Sequence, residues 1–330
     1  MEIKKIKWGI LSTGWIAHKF ASALQVVEGS EIYAVGSRTM KSAQKFSAEF
    51  NIPKAYGSYD ELVSDPDVDV IYIATPHNLH VENTLLALHH NKHVLCEKPL
   101  GVNLKEVTIL IEKAKAKNLF LMEAMWSRFL PNIIKTKELI DSGEIGEIKL
   151  LIATFSILSD AGPEHRHYNI DLCGGSLLDI GIYNVFLSLL LLGKPKRITA
   201  MAGLDIQGGD NTCSCTFQYE KDTLAVMHSS LLGAAPVVAE IYGTKAKISL
   251  EHFWFCPGNV LLTYRDGSER IFDFKNKSNG YDYEAEEVVS CIRAGKKQSD
   301  LWSWDNSLQL INQLDLIRKE CGVVYPKYDL

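Results

Sequence analysis

Short apolar runs alternate with stretches of helical spacing through the first third of the chain. "KIKWGILS" (5–12), "SEIYAVGS" (30–37), "VDVIYIATP" (68–76), "HVLCEKP" (93–99) and "LFLMEAMW" (119–126) carry few polar residues, as strands buried on both faces do. Between them, "WIAHKFASALQVV" (15–27) places Ile16, Phe20 and Leu24 at helical intervals. "MKSAQKFSAEFN" (40–51), "VENTLLALHHN" (81–91) and "LKEVTILIEKAKAKN" (104–118) continue the alternation. Strands, helices and brief connections in this order predict a doubly wound parallel sheet over residues 1–123.

After about residue 124 the period changes. Polar and apolar positions alternate in "EIKLLIATFSI" (147–157), "TCSCTFQY" (212–219), "TLAVMHSSLL" (223–232), "VVAEIYG" (237–243), "AKISLE" (246–251) and "VLLTYRDG" (260–267). Turn signals such as Gly208-Gly209-Asp210, Gly243-Thr244 and Asp266-Gly267 separate the runs. Residues 124–330 therefore read as an α+β domain with a large, mainly antiparallel open sheet, closed by a helix over 304–321 that ends at Gly322.

Composition narrows the function classes. The 330 residues are 46% hydrophobic and 23% charged, ordinary for a globular chain of two domains. A net charge of -5 without a basic run argues against a nucleic-acid partner. The longest apolar run, Val185–Gly193, is too short to span a bilayer and reads as a core helix. Seven scattered cysteines without a CxxC pair suggest neither a disulfide framework nor a zinc site, and a reducing cytoplasm is the compartment expected. No metal is expected; "HRH" (165–167) alone has too few ligands.

Three stretches carry chemistry. In the first strand-to-helix turn, "GILSTGWIA", the dinucleotide fingerprint G-x-G-x-x-G/A falls on Ser12, Gly14 and Ala17. Gly14 would let the backbone approach a pyrophosphate, with Thr13, Trp15 and Ile16 in the same turn, while Ser12 departs from the usual glycine. At the end of the second strand, where an Asp or Glu would accept from a ribose, stand Ser37 and Arg38, which suit a 2'-phosphate and favour NADP over NAD. In "HVLCEKPLG" (93–101) proline holds Lys98 in extended geometry at a strand end, beside Glu97. Placed over a nicotinamide and partly desolvated, Lys98 would have a lowered pKa and could polarise a substrate oxygen. In "CGGSLLDIGIYN" (173–184) Asp179 and Tyr183 are four apart on one helical face. Spacing alone leaves two readings open for each: Asp179 as a substrate or lysine partner or as a capping-box acid after Ser176, and Tyr183 as a proton donor or as core.

"GILSTGWIA", "TPHNLH" (75–80), "CEKPLG", "MEAMWSRFLP" (122–131) and "GGSLLDIGIYN" occur in chain order, followed by "HFWFCPG" (252–258) and "GYDYEAEEVVSCIRAGKK" (280–297). Together they resemble the Gfo/Idh/MocA oxidoreductases, in particular the branch of dihydrodiol and NADP-dependent D-xylose dehydrogenases. The resemblance covers nearly the whole chain. It implies a Rossmann domain, a second domain whose open sheet forms a homodimer or higher homo-oligomer, and catalytic roles for Lys98, Tyr183 and Asp179. It implies that Thr75, Asn78 and His80 lie along the cofactor with Glu97 on its ribose side and Arg128 near the nicotinamide. Trp126, Arg166, Trp254 and Tyr281 fall on the substrate side. Cys173 stands where this segment often has a third glycine. The implied activity is hydride transfer between NAD(P) and a carbinol carbon of an aldopyranose, cyclic polyol or trans-dihydrodiol. The alternative is a dinucleotide-binding sensor or transcriptional regulator of the same fold that has lost the chemistry.

Overall fold

The computed structural model describes residues 5–329. The chain forms two compact units, and they are not consecutive halves. One comprises Met1–Phe129 with Asn276–Leu308, the other Leu130–Lys275 with Gln309–Leu330. This grouping differs from the single boundary expected at 123/124: the first break falls six residues later, and the first unit includes a segment that the change of period had given to the second.

The first unit is built on six parallel strands, β1 (Ile6–Leu11), β2 (Ser30–Gly36), β3 (Lys54–Tyr56), β4 (Val70–Ile73), β5 (His93–Glu97) and β6 (Leu121–Ala124). Their order in the sheet is β3-β2-β1-β4-β5-β6. The order reverses between β1 and β4, and in such sheets ligands bind beyond the carboxyl ends of the strands at that reversal. Helices α1 (Trp15–Leu24), α2 (Met40–Phe50), α3 (Tyr59–Ser64), α4 (His80–His89) and α5 (Leu104–Lys117) connect them. Local chemistry sets several ends: the Thr39 and Asn103 side chains accept from the Ser42 and Glu106 amides, and Asn51 and Asn118 close α2 and α5 in left-handed geometry.

The second unit opens with α6 (Pro131–Asp141) and then builds an eight-stranded sheet. Its strands are β7 (Ile148–Ser156), β8 (Arg197–Leu204), β9 (Asp210–Gln218), β10 (Leu224–Ser230), β11 (Ala239–Gly243), β12 (Ala246–Leu250), β13 (Val260–Tyr264) and β14 (Glu269–Phe272), ordered β14-β13-β12-β11-β7-β10-β9-β8. Only the β7–β10 pair is parallel. A π-helical turn, Leu177–Gly181, runs into α7 (Ile182–Leu192), which packs on β7 and β10. The apolar run is longer than Val185–Gly193 suggested: Ile170–Leu192 has the length and composition to cross a membrane, but 83% of its most apolar window is buried. Burial, not shortness, makes it a core helix. In chain order α8 (Tyr281–Arg293), part of the first unit, and α9 (Trp304–Cys321), divided between the two, follow.

Both departures from glycine noted in the sequence fall where glycine is conformationally favoured. Ser12 has φ +99° and Cys173 +59°. A Cβ in this region costs on the order of 1 kcal/mol. Ser12→Gly should therefore raise the melting temperature by about 2 °C, whereas Ser12→Ala, which keeps the Cβ, should not. Calorimetric melts of the three proteins check this.

Candidate active site

In the first unit the loop after β1 carries the fingerprint residues. Gly14 sits at the start of α1 in extended geometry, and no side chain caps that helix. A Cβ built on Gly14 would meet only the Ser12 hydroxyl, at 3.9 Å, so the backbone there faces open space. Trp15 is 71% exposed beside it. The Thr13 and Ser37 hydroxyls lie 3.4 Å apart, joining the loop to the end of β2, and Ser37 is buried while Arg38 is exposed. Tyr59, which sequence reading passed over, faces both Ser12 and Arg38; burial pushes its phenol up, and the Arg38 charge and the Ser12 hydroxyl hold it back. Bare helix amides, open space at Gly14 and a guanidinium at the end of β2 fit a phosphorylated dinucleotide.

The loop after β4 contributes a further acceptor. The Asn78 side-chain oxygen is buried without a protein partner, as a group awaiting a ligand donor or an ordered water would be. Thr75 is buried, and its hydroxyl accepts from the Asn83 amide at 3.3 Å. His80, expected along the cofactor, is fully buried. Its Nδ1 lies 2.6 Å from the Pro99 carbonyl and its Nε2 2.9 Å from that of Thr75. Carbonyls only accept, so both bonds form together only with the imidazolium. Burial pushes the ring's pKa down, and the two carbonyls pull it up. His80 ties the Thr75 loop to the turn after Lys98.

Lys98 is half-buried at the end of β5. The preceding Glu97 does not reach outward. It is buried, accepting from the Tyr72 hydroxyl at 2.5 Å and from the Lys98 backbone N–H at 3.3 Å. Burial pushes its carboxyl up to about 7, against the Tyr72 bond and the Lys98 charge. Glu284 of α8 lies close enough to feel the Glu97 charge. It is fully buried, neither carboxyl oxygen has a protein partner, and burial with the Glu97 charge pushes its pKa well up. In the same unit Trp126 and Tyr281 stack on each other, ring centroids 4.3 Å apart, and the Arg128 Nε donates to the Leu301 carbonyl at 2.9 Å.

In the second unit the paired glycines have separate steric reasons. A Cβ on Gly174 would come within 2.9 Å of backbone atoms at Arg166, Tyr168 and Asn169, and one on Gly175, at φ +137°, within 2.3 Å of the Asp210 carboxylate. That carboxylate accepts from the Ser176 hydroxyl at 2.8 Å and the Leu177 amide at 2.7 Å. Asp210, not Ser176, caps the helical run, and the capping-box reading of Asp179 falls away. Asp179 is buried and held at both oxygens: Arg166 donates to Oδ1 at 2.9 Å, and His167 Nε2 stands 3.6 Å from Oδ2. Tyr183, also buried, packs its ring 5.7 Å from Phe155 and 5.0 Å from Phe255, which stack on each other at 4.2 Å. Trp254 is not the ring beside Tyr183: it is 1% exposed and its indole N–H donates to the Thr154 carbonyl. The adjacent Phe255 takes that place.

Each unit thus gathers part of the predicted set: Ser12, Gly14, Ser37, Arg38, Asn78 and Lys98 around strand ends in one, Arg166, Asp179 and Tyr183 in the other. Tyr59, His167, Phe155 and Phe255 were missed. The sequence matches the family described as "Oxidoreductase family, NAD-binding Rossmann fold" (GFO_IDH_MocA) over residues 6–125 and "GFO/IDH/MocA C-terminal domain" over 133–249. It is 39% identical to trans-1,2-dihydrobenzene-1,2-diol dehydrogenase of Xenopus laevis, covering 97% of this chain and 99% of that protein. Against the Homo sapiens protein of the same name it is 34% identical, covering 98% of each. A 3-ketoreductase from Actinomadura kijaniata, solved with NADP and TDP-benzene, superposes with a TM-score of 0.86 at 24% identity over 96% of this chain and 98% of that one. Levoglucosan dehydrogenase does so at 0.87 and 18%, over 97% of each. These two likenesses establish the fold.

Glu284 yields a pH test. A carboxyl whose folded pKa is raised stabilises fully below its unfolded pKa, and that stability is lost as pH rises toward the folded value. The loss is about 1.4 kcal/mol per pH unit. Glu284→Gln cannot ionise. Whatever the offset between variant and wild type at pH 5, the melting-temperature difference should move in the variant's favour by pH 8.

Proposed function

The chain belongs to the Gfo/Idh/MocA family of NAD(P)-dependent oxidoreductases, and we propose that it oxidises a secondary alcohol on a ring, a trans-dihydrodiol in preference to an aldopyranose or other cyclic polyol, with NADP preferred to NAD. The observation that carries the substrate choice is the pair of stacked rings, Phe155 and Phe255, against Tyr183. An apolar aromatic wall suits a flat, unsaturated ring better than a sugar rimmed with hydroxyls. The full-length relatives named for a dihydrodiol support the same choice. For the cofactor, support comes from Arg38 and Ser37 at the end of β2, where Gly36–Thr39 offers no carboxylate to a ribose.

When bound, the nicotinamide supplies the hydride acceptor. Tyr183 takes the hydroxyl proton, and Lys98, as the ammonium, stabilises the oxygen as negative charge develops on it. Asp179, held by Arg166, orients the reacting groups. Ser12–Ile16, Ser37, Arg38 and Asn78 hold the dinucleotide. Thr75, His80, Glu97 and Arg128, all buried, shape its binding loops from behind, and Trp126 with Tyr281 bounds the substrate side. The setting proposed is the cytoplasm, in keeping with seven cysteines that form no disulfide.

Initial rates followed by NADPH absorbance, with a trans-dihydrodiol, D-xylose and other cyclic polyols and with each cofactor, test the reading. The highest kcat/KM is expected for the diol with NADP. Lys98→Met and Tyr183→Phe should each lower kcat by about 10²–10⁴-fold with NADP binding retained; near-normal turnover in both would sink the assignment.

The open sheet supports a homodimer. Met201 of β8, Leu224 and Val226 of β10 and Ile271 of β14 are exposed, and the cross-strand register puts Val226 and Ile271 on one face. An open sheet face that exposes apolar side chains is the surface a second copy would cover. Sedimentation should find a dimer in wild type and monomers in Val226→Lys; a monomeric wild type would refute it.

A further inference from the structure

Why does the chain return residues from its far end to the first unit? Ser299–Ser307 lie along β6, with the Trp304 indole N–H donating to the Leu121 carbonyl at 2.9 Å. Their principal target is one side chain. Glu123, at the third position of β6, is buried and takes three hydrogen bonds from outside its strand. The Trp302 indole N–H donates to Oε2 at 3.1 Å and the Ser307 hydroxyl to the same oxygen at 2.7 Å. The backbone N–H of Leu100 donates to Oε1 at 2.9 Å. Leu100 is two residues after Lys98, in a turn with no regular hydrogen-bond ladder. One carboxylate therefore links that turn to α9.

We propose that Glu123 is a positioning residue for Lys98, held in place by Trp302 and Ser307; the proposal rests on the catalytic reading of Lys98. Glu123 acts twice on the lysine. It fixes the turn that aims the side chain, and its charge lies within reach of the ammonium, whose own charge opposes the effect of burial on the Glu123 carboxyl. An ordinary core acid would do neither. A residue that acts on aim and charge should show itself in turnover and its pH dependence, not in cofactor affinity.

Glu123→Gln is the direct test. Whichever way the amide turns, its NH₂ confronts either the Leu100 N–H or the Trp302 indole N–H, both of which only donate, so one bond of the link breaks. The expected result is a kcat about 10- to 100-fold lower, an NADP Kd by fluorescence titration within about twofold of wild type, and an apparent alkaline pKa in the kcat/KM profile shifted downward. Should that variant fail to fold, Ser307→Ala and Trp302→Phe each remove a single donor; both should lower kcat without raising the NADP Kd. A folded Glu123→Gln with wild-type kcat and pH profile overturns the proposal, and so does a loss confined to NADP affinity. Lys98→Met separates the two levels. If it keeps its turnover, the catalytic reading fails and takes this proposal with it; if it is inactive while the Glu123 variants match wild type, only the positioning role fails.

Discussion

The constraint that recurs in both units is a buried carboxylate that accepts a backbone N–H two residues from a candidate site residue. In the first unit it is Glu123, bonded to Leu100 beyond Lys98; in the second it is Asp210, bonded to Leu177 ahead of Asp179. Removing a carboxylate from water costs several kcal/mol unless its oxygens are filled. Hydrogen bonds to an ionised group return about 1.5–3 kcal/mol each. The two acids differ in how far this offset goes. Glu123 has donors on both oxygens, whereas Asp210 Oδ1 has none in the protein, and burial pushes its carboxyl up to about 6. The tighter link is the one behind the proposed catalytic lysine.

Glycine follows from the same geometry. Gly175 is required because the Asp210 carboxylate occupies the space a Cβ would need, and Gly174 because the loop bearing Arg166 crosses it at backbone contact. The Gly-Gly pair is thus the steric consequence of closing one loop over another so that a guanidinium reaches Asp179. Ser12 and Cys173 also sit at turns with positive φ, where each carries a side chain at the cost of local strain.

How much of this was legible depended on range. Most parallel strands of the first unit were plain because each carries few polar residues and is four or more residues long; β3, with three residues, was not. β8 and β14 escaped because they are edge strands with exposed apolar side chains, Met201 and Ile271, so their pattern lacks a clean buried face. Motif residues adjacent in sequence were found, and those joined across long separations were not. Asp210 lies 33 residues from Leu177, and Ser307 lies 184 from Glu123; nothing local marks either pair. Trp254 and Phe255 show the remaining limit. Neighbours in a loop point in different directions, and no pattern states which one faces Tyr183.

The surroundings of Asp179 also decide what kind of group it is. A carboxylate bonded to a guanidinium at 2.9 Å on one oxygen and facing an imidazole on the other is poorly suited to accept a proton, since protonation would dissolve its strongest bond. His167 reinforces this. Its Nδ1 lies 2.7 Å from the Ser159 hydroxyl, which can donate to a neutral ring or accept from a protonated one. With the hydroxyl donating to a neutral ring, or with the ring protonated, Nε2 carries a hydrogen toward Asp179. On the proposed reading the travelling proton belongs to Tyr183, and Asp179 contributes a fixed negative charge whose direction is set by residues 159–167.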